Sequence, residues 1–193
     1  MKNCFTFGLA VMALCSLFVA PACRQQPQSR RYEENGPDAA PAPALPQGEA
    51  WHWAKPVPWR EEGNAGLRLA TFSIAGQEGP GQCTLVPLPG DGGGIEANVQ
   101  RWLEQLQLPL FSPREMADFL GRQKRLQTRD GLPVAVIDFT ALGRRQPPAA
   151  SMLAAMIADG NQTLFVKLSG GKALIEKNRE DFYEFCRSLS RGT

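Results

Sequence analysis

The sequence predicts an α+β domain over residues 51–193, with a largely antiparallel sheet and helices packed on it. Three observations predict it. Apolar residues alternate with others, or run unbroken, over stretches of strand length. Tight turns join several neighbouring strands, which favours antiparallel pairing. Apolar residues at three- and four-residue spacing mark helices between and after the strands.

The elements follow in order. Trp51-His52-Trp53-Ala54-Lys55-Pro56-Val57-Pro58-Trp59 is too rich in proline for a helix and is expected to lie extended with its rings on apolar surface. Arg68 to Ile74 reads as a strand with Leu67, Leu69 and Phe72 inward. Gly76 to Gly81 is a turn, and Gln82 to Leu88 is a second strand whose Pro87 points to an edge or a bulge. Gly90-Asp91-Gly92-Gly93-Gly94 is a loop, and Ile95, Val99, Trp102, Leu103 and Leu106 mark one face of the helix after it. Ser112, Pro113 and Glu115 have the spacing of a helix start with a capping box, opening a helix through Leu120.

Lys124 to Thr128 is a short strand, Asp130-Gly131 a turn, Leu132 to Ala141 a strand and Arg144 to Ala149 a loop. Ser151 to Ala158 permits a helix by its Met and Ala content and a buried strand by its place between Pro-Pro and Asp159-Gly160. The strand is preferred. Leu164 to Leu168 is a strand reached through an Asp159-Gly160-Asn161 turn and ended by Gly170-Gly171. A short helix is expected from Lys172 to Glu176. A last one spans Arg179 to Leu189, with Phe182, Phe185, Cys186 and Leu189 on one face.

The 193 residues carry a formal net charge of +2, too near neutral for an electrostatic footprint on nucleic acid. Much of the proline sits in one stretch, residues 24–48, which has almost no large apolar side chain. Such a segment cannot bury enough surface to offset its ordering entropy and reads as a disordered Pro/Ala-rich tether, residues 23–50 with Cys23 at its head.

Residues 1–22 read as a signal peptide: Lys2, an apolar run from Cys4 to Val19, then Ala20-Pro21-Ala22 before Cys23. That run, at 1.5 Å per residue, reaches roughly 24 Å, short of the ~30 Å hydrocarbon core of a membrane. Ala22-Cys23 resembles the exit of a bacterial lipoprotein leader, so Cys23 is the expected lipidation site, although Ala20 and Pro21 depart from the usual box. A soluble secreted product is the alternative. Cys4 and Cys15 lie in the leader, and Cys83 and Cys186 are expected as two buried thiols rather than a disulfide.

Several segments resemble an uncharacterised family of exported proteins and lipoproteins of planctomycete and verrucomicrobial bacteria. They are Trp53 to Trp59, Leu67 to Phe72, Leu88-Pro89-Gly90 with Gly92-Gly93, Asn98 to Trp102, Gln105-Leu106, Phe165 to Gly170, and Phe182 to Leu189. The resemblance implies no activity. The C-terminal strand–glycine–helix pattern is also similar to PsbP-like α/β/α sandwiches, which implies a fold only.

Candidate ligand-binding residues are Gly92, Gly93, Asn98, Arg101 and Gln105 around the glycine loop, and Trp53 and Trp59 in the arm. A glycine loop before a helix can offer N–H groups to an anion. Asp91 opposes that, and a flexible joint is the stronger explanation. Gly170-Gly171-Lys172-Ala173 fails the P-loop pattern, because Val166 stands where a glycine is needed and Ala173 where Ser or Thr is needed. His52 is the sole histidine, too few for a zinc site and more consistent with packing than with a Cys83–His52 nucleophilic pair. Asp138 reads as an outward or hydrogen-bonded residue rather than a base. The tryptophans either line a groove for peptide or glycan or pack on the sheet, and packing is preferred.

These patterns imply no cofactor, no metal and no catalytic residue. The expected role is a membrane-held, non-enzymatic binding or scaffold domain of the cell envelope, with an envelope protein, peptide or glycan as partner. An envelope enzyme with polar groups dispersed near Asp91, Arg101 and Gln105 is the alternative.

Overall fold

The computed structural model describes residues 50–64, 66–77, 79–142 and 150–192. The predicted signal peptide, Cys23 and nearly all of the tether lie outside these, as does the predicted loop of residues 144–149.

Among the described residues nine strands and four helices follow in the order β1 (Trp51–His52), β2 (Trp59–Glu62), β3 (Ala70–Ile74), β4 (Gly81–Pro89), α1 (Ile95–Gln105), α2 (Pro113–Gly121), β5 (Lys124–Gln127), β6 (Pro133–Asp138), β7 (Ala150–Asp159), β8 (Gln162–Gly171), α3 (Lys172–Lys177), α4 (Arg179–Ser188) and β9 (Ser190–Arg191). Seven strands form one sheet in the order β2-β3-β4-β8-β7-β6-β5, and β1 pairs with β9 in a separate ribbon. Every pairing is antiparallel. The fold is α+β, with a large antiparallel sheet.

The sheet's centre is the β7–β8 hairpin, two ten-residue strands joined through Gly160 at φ 58°. Their sequences are apolar on both faces because both faces are covered. Leu153, Ala155 and Ile157 of β7 join Leu164, Val166 and Leu168 of β8 in one core, under Phe182, Phe185 and Cys186 of α4. Met152, Ala154 and Met156 join Phe165 in a second core, under Val99, Trp102 and Leu103 of α1 and Met116 and Phe119 of α2. Alternation along the strands thus sorts side chains into two layers, with α1 and α2 on one side of the sheet and α3 and α4 on the other.

α2 starts as its sequence predicts. Ser112 accepts from the Glu115 N–H at 3.4 Å, and the Glu115 carboxylate accepts from the Ser112 N–H at 2.8 Å, with Pro113 in the first turn.

Two sequence expectations, for Leu67 and for Gly170-Gly171, are corrected, and the one for Pro87 holds only locally. Leu67 does not point inward; it is 55% exposed, and β3 begins only at Ala70. Pro87 lies in a strand flanked on both sides, yet beyond the last β3–β4 pair, Ala70–Leu85, so β4 is locally an edge there and tolerates the missing N–H. Gly170 and Gly171 do not end β8 but belong to it. A Cβ on Gly170 would stand 3.1 Å from the Gly81 Cα and 3.4 Å from Leu174, so the bare backbone lets α3 close onto the sheet.

Candidate functional site

The glycine loop is built inward, on itself. Asn98, 2% exposed, donates its amide to the Gly92 carbonyl at 2.9 Å and the Gly94 carbonyl at 2.7 Å. Its Oδ1 accepts from Arg101 Nη1 at 2.7 Å. Asp91 Oδ1 accepts the Gly93 N–H at 2.9 Å. A Cβ on Gly92 would meet the Phe165 ring at 2.5 Å, so the backbone there lies against the core. Thr163 and Asn161 pin Gly90 from the β7–β8 turn, each at 2.9 Å. Gly92, Gly93, Asn98 and Arg101 are therefore brought together, and the bonds they make hold the turn into α1.

The tryptophans lie elsewhere. Trp59 is 1% exposed, stacks near Phe72 and Phe185, and donates its indole N–H to Asn178 at 3.2 Å. Trp53 meets Phe72 edge-on, with centroids 6.4 Å apart. These rings belong to the α4 side of the sheet, whereas the glycine loop and α1 belong to the other. The two groups of candidate residues do not share a cleft. In the proline arm the large apolar side chain left outside is Val57, 94% exposed.

Cys83 and Cys186 are free thiols in the α4-side core. Burial pushes the Cys83 thiol well up, with a smaller contribution from Cys186 beside it, and burial likewise raises Cys186. Neither is a ready thiolate. His52 is exposed on β1. Asp138 is hydrogen-bonded, through Thr140 and Arg179. Among the described residues no group of three or more His, Cys, Asp or Glu gathers to hold a metal.

Gln105 is the candidate that leads somewhere. Its Oε1 accepts from Lys167 Nζ at 3.4 Å, linking the end of α1 to the middle of β8. Across the sheet Lys167 stands opposite Thr84, which stands opposite Thr71. Thr71 is 4% and Thr84 6% exposed, and the Thr71 hydroxyl has no hydrogen-bond partner. Burial, helped by the nearby Arg68 charge, lowers the proton affinity of Lys167. Sequence reasoning missed Lys167, Thr71 and Thr84. The available signal was a lysine inside Leu-Phe-Val-Lys-Leu, at a strand position whose neighbours two residues away are Phe165 and Ser169.

The chain matches no protein-family model, and no curated protein matches it.

Proposed function

We propose that this protein is an exported cell-envelope lipoprotein, tethered through Cys23, whose α+β domain binds a partner or ligand rather than transforming one. The observation that carries the reading is the order of features along the chain. An apolar leader ends at Ala22-Cys23, a Pro/Ala-rich stretch follows, and the folded domain begins at Trp51 where that stretch stops. A lipidated Cys23 with a leash behind it holds a domain near a membrane while leaving its faces accessible. The likeness to exported bacterial proteins supports the same address.

One feature of the domain supports binding. The row from Gln105 through Lys167 to the two threonines offers hydrogen-bond donors, which suit holding a group in place.

Palmitate labelling of cells expressing the full chain tests the anchor. Label is expected on the wild-type protein in the membrane fraction and absent from Cys23→Ala, which should be released as a soluble exported form. Wild-type protein without label, or label unaffected by Cys23→Ala, overturns the reading.

A further inference from the structure

We propose that the α1-side face of the sheet carries a phosphate-class oxyanion site formed by Lys167, Arg68, Thr71, Thr84 and Gln105. The inference rests on the binding reading above and names a ligand class for it.

The register sets the row. Thr71, Thr84 and Lys167 are successive cross-strand partners on β3, β4 and β8, and Ala154 of β7 comes next. Successive partners across a sheet share one face. Ala154 lies in the α1-side core, so the row looks toward α1. Beyond Lys167 toward β3, that face changes from apolar to hydroxylic.

Three observations point to a missing anion. First, among the described residues the Thr71 hydroxyl is buried without a partner. An orphaned buried hydroxyl is costly, and a bound acceptor would satisfy it. Second, among the described residues the half-buried Lys167 has one long contact, to Gln105, leaving donor capacity on its ammonium and on the Gln105 NH2. Third, Arg68 precedes β3 close enough to act on Lys167, and no ion pair engages either cation among the described residues. Lys167, partly desolvated and near the exposed Arg68, is stabilised by an anion that meets both cations.

The acid on this row is Glu62, opposite Thr71. Its carboxylate accepts from Ser73 at 2.5 Å, one row further along β3. A phosphoryl group, with three oxygens, suits donors drawn from β3, β4, β8 and α1 better than a carboxylate does. That chemistry is shared by soluble phosphates and by phospholipid headgroups.

Titration of the full chain with inorganic phosphate at constant ionic strength, followed by amide NMR, tests the site. Saturable shifts are expected at Thr71, Thr84, Lys167 and Gln105. Lys167→Gln should weaken binding about tenfold, corresponding to about 1.4 kcal/mol, and Arg68→Gln severalfold. Lys172→Gln, at an exposed lysine paired with Glu176, should leave it unchanged. Flotation of the Cys23→Ser chain with phosphatidylcholine or phosphatidylglycerol vesicles separates the sources. Lys167-dependent binding to phosphatidylglycerol assigns the headgroup; phosphate binding without it assigns a soluble ligand. The proposal is overturned if phosphate gives no saturable shift, or if Lys172→Gln weakens binding as much as Lys167→Gln. The anchor reading can fail independently, since it is read from palmitate on Cys23.

Discussion

Arg179, the first residue of α4, grips Asp138 at the last position of β6: its Nη1 pairs with Asp138 Oδ2, and its Nη2 donates to the Thr140 hydroxyl at 2.8 Å. The other carboxylate oxygen accepts from the Thr140 N–H and hydroxyl at 2.8 and 2.7 Å. With side chains 28% and 24% exposed, the pair lies between the surface and buried regimes. Arg179→Ala should cost about 1–3 kcal/mol in urea unfolding, because it leaves the partly buried Asp138 Oδ2 without its cation. A double-mutant cycle with Asp138→Ala should return a coupling of about 1 kcal/mol. A coupling of zero would show that α4 is held by its apolar face alone.

Gly92 and Gly93 have similar backbones, at φ 64° and 85°, but different surroundings. A Cβ on Gly93 meets nothing within 4 Å, whereas one on Gly92 runs into Phe165. Gly93→Ala should cost about 1 kcal/mol, the backbone term alone. Gly92→Ala adds displacement of a core ring and should cost about 1–3 kcal/mol more. Equal losses in thermal unfolding would contradict the close approach.

The capping box at α2 gives a third expectation. Ser112→Ala removes the acceptor for the Glu115 N–H and should lower stability by about 1 kcal/mol. Hydrogen bonds from Ser112 also lower the Glu115 pKa. A carboxylate depressed in the folded state contributes stability above its unfolded pKa and loses it as the pH falls through the folded one. The Ser112→Ala deficit should therefore shrink in acid. A deficit independent of pH would mean that the carboxylate takes no part.

The thiols set a limit at the alkaline end. In the unfolded chain they ionise near the ordinary value of 9.0, while burial keeps the folded pair protonated to higher pH. Their contribution is whole below about pH 9 and drains as the pH rises, by about 1.4 kcal/mol per unit for each thiol. The stability gap between wild type and a Cys83→Ala/Cys186→Ala variant should narrow by about 2–3 kcal/mol between pH 8 and 10. Parallel curves would place both thiols in contact with water. Alkylation should likewise proceed only on unfolding.

Much of this fold is readable in the residues. The strand at Ser151 to Ala158 follows from its apolar run between punctuating turns, and α2 follows from Ser112, Pro113 and Glu115. β2 is harder: Trp-Arg-Glu-Glu offers one apolar residue, because an edge strand leaves most of its side chains in water. β1 and β9 are two residues each and exist only through their pairing, which no local pattern encodes. The glycines at the end of β8 look like a stop because their purpose, admitting Leu174, is tertiary. The candidate site divides in the same way. Gln105 is visible on the helix, but its partners on β3, β4 and β8 assemble through register across distant segments.

The β1–β9 ribbon places the first and last described strands side by side. Trp51 lies opposite Arg191, whose guanidinium sits 4.7 Å from its ring, and the Gly192 N–H bonds the Ala50 carbonyl at 2.8 Å. Under the proposed anchoring, load arriving at Ala50 meets this two-pair ribbon, which lies outside the seven-strand ladder. With so few pairs to break, the ribbon is expected to part before the sheet that bears Lys167.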